Sequence, residues 1–207
     1  TEVGQNPSVH GFTGAWRYNT NISSSVYPRL ETSQLSYAGL TSTTAGQLNL
    51  FRSSSTGTSK SFARTLNAGP STDFDQVLYI GGMLQRTTDS TFTLGLTFTN
   101  GTDTRNLSMT IAADGNGSLT GSDAPAVTSG SPLWAVSTPQ FFVLKLENSV
   151  LDGVSGGTLG DRMSLYLNPN LADESSNSAA LVLGDSDASF FVTGNSSWSL
   201  GSLTIGS

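Results

Sequence analysis

The chain has 207 residues, a net charge of −6 and 12% charged residues, about half of the charged share of a typical globular domain. The nine basic residues are scattered singly, which argues against nucleic-acid binding, and the absence of cysteine excludes thiol catalysis, cysteine-based zinc sites and disulfides. No apolar run approaches the roughly 18 residues of a membrane-spanning helix, so the sequence given is not expected to span a membrane.

Short segments rich in β-branched and aromatic residues alternate with clusters of Gly, Asn, Asp and Ser, and helical spacing is nearly absent. The strands that we predict, in chain order, cover residues 14–19, 35–37, 48–51, 61–65, 76–85, 91–99, 107–112, 141–147, 163–168, 188–193 and 199–205. In 91–99, apolar residues from Phe92 to Phe98 alternate with Thr or Gly, which indicates an antiparallel strand with one buried face. Residues 141–146 are more continuously apolar, as expected where both faces are covered.

The segments between these strands carry the residues that antiparallel turns require. Asn100-Gly101 follows a strand, and the run DGNG at 114–117 separates 107–112 from a further short strand at 118–120. Asn-Gly and Asp-Gly supply the positive φ angles of tight hairpins. Residues 152–160 are predicted to be a longer hairpin loop, and Pro169 is predicted to stop the strand before it. The chain is therefore predicted to be all-β, a single antiparallel β-sandwich domain over residues 1–207, with 1–10 as an extended N-terminal segment.

Several segments, taken in order, resemble a family of exported bacterial proteins that is common among those with PEP-CTERM sorting signals. The matching segments are GFTGAW at 11–16, LSYAGL at 35–40, RTL at 64–66, VLYIGGML at 77–84, FVLKL at 142–146 and DRMSLYLNP at 161–169. The resemblance implies export and a concanavalin A-like or laminin-G-like jelly roll, but that family has no settled activity to transfer. The chain ends at Ser207 without a sorting helix or basic tail, so such a segment is either removed or never present.

Catalytic residue sets are not apparent. Glycoside hydrolysis, the sharpest enzyme hypothesis for this fold, needs two carboxylates placed across one bond. The four glutamates are isolated from one another along the chain: Glu2, Glu31, Glu147 and Glu174. His10, the one histidine, precedes the first strand and has no nucleophile-elbow motif nearby, so we interpret it as a surface or turn residue. We expect that the protein is not an enzyme.

Calcium is the one cofactor that the sequence suggests. Pairs of Asp separated by one residue place two carboxylates on one face of a strand, and this hard ion prefers oxygen ligands at loop rims. The pairs are Asp73 with Asp75 and Asp185 with Asp187. A turn role is the alternative for these pairs, and it is favoured for Asp114 and Asn116 in the run DGNG.

Aromatic rings suggest a sugar-binding platform, because a flat ring covers the apolar face of a pyranose. Trp134 follows a loop-like stretch and Trp198 begins the last strand, and these two are the candidate carbohydrate-binding residues. The other aromatic candidates for such a platform are Trp16 and the tyrosines Tyr18, Tyr27, Tyr37 and Tyr166. Core burial is the favoured alternative for Trp134 and Trp198. Trp16 lies inside the family-like GFTGAW run and is predicted to be a core residue.

The surface composition suggests export. The chain contains 33 Ser and 26 Thr but two Lys, a hydroxyl-rich and weakly charged composition that is frequent in extracellular bacterial β-proteins. N-glycosylation-type sequons occur at Asn21, Asn100, Asn106, Asn116 and Asn195, and they have meaning only if the chain enters a glycosylating compartment. We therefore expect a secreted or cell-surface bacterial protein.

Three function classes follow from these observations. The first is a non-catalytic structural or adhesive surface protein that assembles with copies of itself or with other surface proteins. Strand donation by residues 1–9 to an open sheet edge would build a matrix or fibre. The alternative is a carbohydrate-binding, lectin-like module whose partners are glycans. A glycoside hydrolase is the least favoured class.

Overall fold

The structure is a computed structural model that describes residues 77–86, 91–99, 102–122, 124–147, 161–184 and 199–206, together with the backbone of strands at 12–18, 29–31, 47–49 and 61–66. Its strands are β1 (Phe12–Tyr18), β2 (Arg29–Glu31), β3 (Gln47–Asn49), β4 (Ser61–Leu66), β5 (Leu78–Leu84), β6 (Phe92–Thr99), β7 (Thr104–Ile111), β8 (Gly117–Gly121), β9 (Ala124–Thr128), β10 (Gln140–Glu147), β11 (Arg162–Leu167), β12 (Leu181–Leu183) and β13 (Ser199–Gly206). A single 3₁₀ turn, Glu174–Ser176, lies between β11 and β12.

The strands form two main antiparallel sheets. One sheet has seven strands in the order β1-β4-β13-β6-β7-β8-β9, and the other has four in the order β12-β11-β10-β5. Strands β2 and β3 pair separately. β13 returns through a long connection to lie beside β6, the first strand of the β6–β9 meander, as in a Greek key. The predicted all-β antiparallel sandwich is confirmed.

The core lies between the two sheets and follows the two-residue period of the strands. Inward-facing side chains of β6, β7 and β8 pack against those of β10, β11 and β12. The largest fully enclosed side chains in the described part of the chain are Phe98, Leu96, Leu107, Met109, Ile111, Leu119, Trp134, Leu144, Leu146 and Met163. The apolar face predicted for 91–99 is therefore the core face of β6.

Two consecutive glycines in β5 allow aromatic rings of β10 to lie flat against that strand. A Cβ added at Gly82 would stand 3.1 Å from the Phe142 ring on the core side, and one at Gly81 would stand 3.3 Å from the Phe141 ring on the other side. Both phenylalanines are buried as a result. The sequence predicted that both faces of 141–146 are covered, and this holds at Phe141 and Phe142. It does not hold along the whole strand, because Lys145 on the outer face is only half-buried.

The run DGNG forms the predicted hairpin turn between β7 and β8. The Asn116 carbonyl accepts from the Ala112 N–H at 2.8 Å, and Asp114 Oδ1 accepts from the Asn116 N–H at 2.9 Å. Gly115 has a φ of +91°, a conformation that favours glycine. Arg86 reaches the same turn from the end of β5 and donates to the Ala112, Ala113 and Trp134 carbonyls.

Candidate binding cleft

The outer face of the four-stranded sheet carries one row of polar residues and one row of apolar residues. Tyr79 of β5 lies opposite Lys145 of β10 in the antiparallel register. Val143 lies opposite Tyr166 of β11, one row further along. These four side chains share a face of the sheet. The two members of each pair lie directly across from one another, and Val143 and Lys145 are two residues apart on β10.

The loop after β11 folds back over this face and is held by its own side chains. Asn168 has a φ of +48° and its Oδ1 accepts from the Phe141 N–H at 3.0 Å, which fixes the end of β11 beside β10. Asn177 Oδ1 accepts from the Asn170 N–H at 2.7 Å, and Asn177 Nδ2 donates to the carbonyls of Asn170 and Asp173 at 3.0 Å each. Asp173 caps the 3₁₀ turn that carries Glu174. The loop is therefore ordered before any partner binds.

The sheet and this loop enclose a cleft of about 160 Å³. We call it the loop cleft. It is lined by Tyr79, Val143, Tyr166, Pro169, Asn170, Leu171, Glu174 and Asn177. The Tyr79 side chain and the Leu171 side chain are 48% and 54% exposed, so apolar surface is open to solvent at its mouth. An exposed apolar floor with a polar rim is the usual composition of a ligand site.

One ammonium group joins two carboxylates at the rim. Lys145 Nζ lies 2.9 Å from Glu147 Oε1 and 2.9 Å from Glu174 Oε1. The Tyr79 hydroxyl lies 2.9 Å from both carboxylate oxygens of Glu174 and donates its proton to that group. Lys145 Nζ also stands 5.9 Å from the centre of the Tyr79 ring, within the range of a cation–π contact.

These contacts shift the pKa values of Glu174, Lys145 and Tyr79. The hydrogen bond from Lys145, followed by that from Tyr79, holds the pKa of Glu174 below its ordinary value. Partial burial opposes the charge of Lys145, but hydrogen bonds to Glu174 and Glu147 outweigh it and raise the pKa of Lys145. Burial and the hydrogen bond to Glu174 raise the pKa of Tyr79. At neutral pH the carboxylate and the ammonium are charged and the phenol is protonated.

The network orients groups more than it stabilises the fold. The Glu174 side chain is 59% exposed, and ion pairs at such positions contribute little to stability because water screens them. β5, β10 and the loop after β11 are far apart in sequence, but they bring Tyr79, Lys145 and Glu174 to one place. Glu174 is left as a fixed, exposed carboxylate at the mouth of the loop cleft.

The tryptophan interpretation is settled for Trp134, which is 0% exposed and packs in the core. A wholly buried indole cannot stack on a sugar, so the carbohydrate-binding alternative for Trp134 is wrong and the core alternative holds. The loop before Trp134 is exposed, but the backbone N–H of Trp134 donates to the Gly115 carbonyl and holds the residue against the β7–β8 turn. Trp198 lies outside the described residues, and so does the side chain of Trp16.

The four predicted calcium ligands, Asp73, Asp75, Asp185 and Asp187, lie outside the described residues, and the calcium site stays a prediction. His10 and the rest of the N-terminal segment 1–10 also lie outside the described residues. Within the part of the chain that the structure describes, no group of three or more His, Asp or Glu side chains is placed to hold a metal ion. Among the same residues, no helix has the length and apolar character needed to cross a membrane.

Two of the five predicted glycosylation sites are described. Asn106 is exposed on β7, and its Oδ1 accepts from the Thr97 hydroxyl at 3.0 Å. Asn116 is half-buried in the β7–β8 turn, and its Nδ2 donates to Asp114 Oδ2 at 2.7 Å. Asn21, Asn100 and Asn195 lie outside the described residues. Glycosylation stays a prediction at each position.

Of the residues that line the loop cleft, the sequence suggested Tyr166 as an aromatic candidate and missed the others. Glu147 and Glu174, which are isolated along the chain, both contact Lys145 in space. The available signal was the alternation in β5 and β10, which places Tyr79 and Lys145 on the polar side of otherwise apolar strands. The contact between Tyr79 and Glu174 spans 95 residues and carries no local signature.

No family model, curated protein or solved structure matches this chain.

Proposed function

We propose that this chain is a non-catalytic adhesive domain of a bacterial cell surface or its secreted matrix, and that the loop cleft makes the adhesive contact. The low charge and the hydroxyl-rich composition support export, because such surfaces are frequent in extracellular β-proteins. A domain of this length can bury a sufficient core without disulfides or a structural metal. The chain has no cysteine, and its described part has no metal cluster.

The observation that carries this proposal is the loop cleft itself. Tyr166 and Val143 form an apolar base, Leu171 stands at the mouth, and the loop is held by hydrogen bonds within itself. A site that is ordered in advance loses little conformational entropy on binding, which favours a recognition role. Tyrosine also provides a large contact area with few rotatable bonds.

The charge state of Glu174 argues against the general-acid role in glycoside hydrolysis. A glycosidase needs one carboxylic acid whose pKa is raised, so that it holds a proton at neutral pH. The pKa of Glu174 is instead lowered by Lys145 and Tyr79. Glu174 is therefore unsuited to be that proton donor, and as an ionised carboxylate it is suited to accept hydrogen bonds from a ligand.

Self-association is a second candidate, and the position of β5 favours it. Among the described strands β5 pairs with β10 alone, so in this part of the chain the other edge of β5 has no strand partner and is a candidate for pairing. Val77 beside this edge is 43% exposed. The segment 1–9, which we predict to be a donor strand, would then come from a second copy.

Adhesion of coated particles tests the proposal. Beads that carry the purified chain should bind cell envelopes of the producing bacterium, and Tyr166→Ala or Leu171→Ala should reduce the bound fraction about tenfold, because truncating a central contact costs more than 1 kcal/mol. Val136→Ala is the matched control, since Val136 is also an exposed aliphatic residue but lies away from the cleft.

Equal adhesion of the wild type and both cleft variants would contradict a role for the loop cleft. Electron microscopy of the same preparations separates the second candidate. Isolated particles are expected for adhesion through the cleft, whereas filaments that disappear when residues 1–9 are removed would support self-association instead.

A further inference from the structure

We infer that the loop cleft binds a single neutral pyranose ring, with its apolar face against Tyr166 and its hydroxyls donating to Glu174. This inference rests on the proposed function, because it names the chemistry of the partner at the same site. It differs from the tryptophan platform that the sequence suggested, since it uses two tyrosines and a glutamate that no sequence pattern connects.

The size of the loop cleft sets the size of the ligand. Sites for drug-sized ligands and cofactors usually measure about 300–1,000 Å³. The loop cleft measures about 160 Å³ and is open to solvent on one side, which suits the insertion of one sugar ring. A longer polymer would therefore be held by one of its units, with the rest in solvent.

The two kinds of surface in the loop cleft match the two faces of a pyranose. Tyr166, Val143 and Pro169 supply a continuous apolar surface for the C–H groups of the ring. Aromatic rings are effective at such contacts because their flat faces are negative and accept weakly positive hydrogens. Tyr166 lies near the end of β11 and pairs with Val143 of β10, so the strand pairing sets its position beside the apolar base.

Glu174 provides acceptors that a polyol can use. An ionised carboxylate has about four acceptor positions. Lys145 occupies one position and the Tyr79 hydroxyl another, which leaves roughly two positions on an exposed group. Adjacent hydroxyls of a sugar can donate to both oxygens at once, and charge-assisted hydrogen bonds of this kind are stronger than neutral ones.

The local charge selects against acidic sugars. Glu174 is the charged residue that lines the loop cleft, whereas Glu147 lies further along the face, opposite Arg162 in the register of β10 and β11. A carboxylated or sulfated sugar would bring a like charge to this rim, which disfavours binding. The amide groups of Asn177 are already bonded within the loop and cannot compensate by donating to an anion.

Affinity electrophoresis with soluble polysaccharides tests the inference. Gels would contain a neutral glucan, mannan, galactan, xylan or soluble chitin derivative, and polygalacturonate would serve as the acidic polymer. We expect at least one neutral polymer to retard the wild type and polygalacturonate to leave its mobility unchanged. Tyr166→Ala and Glu174→Gln should each weaken the retardation at least about tenfold, the loss expected when a central contact is truncated.

Two features of the design keep the outcomes distinct. Glu174→Gln alters an exposed group and preserves the fold, and Val136→Ala is the control that should bind like the wild type. Retardation by polygalacturonate alone, or by no polymer, would overturn the inference, and so would neutral binding that survives both cleft variants. Competition with the soluble neutral polymer that retards the wild type separates the two claims. Cleft-dependent adhesion to envelopes that persists in an excess of that polymer would contradict sugar binding and leave the adhesive function standing.

Discussion

Gly115→Ala is expected to lower the free energy of unfolding by roughly 2–6 kcal/mol, the combined range for left-handed strain and overpacking. Gly115 has a φ of +91°, which an alanine adopts only with strain. An added Cβ would also stand 2.5 Å from the Trp134 carbonyl oxygen. That carbonyl accepts from Arg86 and is part of the backbone, so it cannot move aside cheaply.

Urea unfolding gives the measurement, with the midpoint lowered at an unchanged dependence on urea concentration. Gly130→Ala is the matched control in the neighbouring loop, because a Cβ at Gly130 meets nothing within 4 Å. We expect that control to unfold within about 0.5 kcal/mol of the wild type, as surface substitutions usually do. Equal midpoints for the two variants would show that the turn and the Trp134 loop do not pack as described.

Trp134→Ala is expected to cost about 3–5 kcal/mol, the range for truncating a large buried aromatic side chain. Trp134 is 0% exposed and packs in the core, where its ring also lies over Gly117. The cost combines the loss of apolar burial with a cavity that the surrounding strands cannot fill. Thermal or urea unfolding of the two proteins measures it directly.

Trp134→Phe separates packing from hydrogen bonding at the same position. The indole N–H of Trp134 is buried and finds no acceptor within the described part of the chain. Phenylalanine removes this unpaired donor and keeps much of the ring, so we expect it to cost clearly less than alanine. A larger loss for Trp134→Phe than for Trp134→Ala would mean that the indole N–H has a partner that matters.

Strand prediction from the sequence worked where the two-residue period is strong. The predicted 91–99 and 141–147 agree closely with β6 and β10, and the run DGNG forms the turn before β8. It failed for β2, β9 and β12, which are short. β9 contains Pro125, which depresses any strand signal, and β12 has only three residues. Their pairing depends on neighbours that are distant in sequence.

The candidate site was not predictable in the same way. Tyr79 and Lys145 become neighbours only because β5 pairs with β10, a strand that follows it by five places in the chain. Glu174 reaches them through a loop whose course is set by Asn168, Asn170 and Asn177. Tertiary contacts decide such clusters, and single-sequence patterns carry no information about which strands pair.

The fold and the cleft are linked through β10. Phe142 and Leu144 anchor the core face of this strand, while Val143 and Lys145 on its other face line or border the loop cleft. The rigid core therefore fixes the spacing between the apolar base and the charged rim. Such support by well-packed strands is what a preorganised binding site requires.

The most direct test of the adhesive role of the loop cleft is heteronuclear NMR of the ¹⁵N-labelled chain, titrated with solubilised surface polymer from the producing bacterium. We expect the largest amide shift changes at Tyr79, Val143, Tyr166 and residues 170–177, with little change in β6, β7 and β8 on the opposite sheet. Changes that concentrate on the seven-stranded sheet, with none at the loop cleft, would contradict the account.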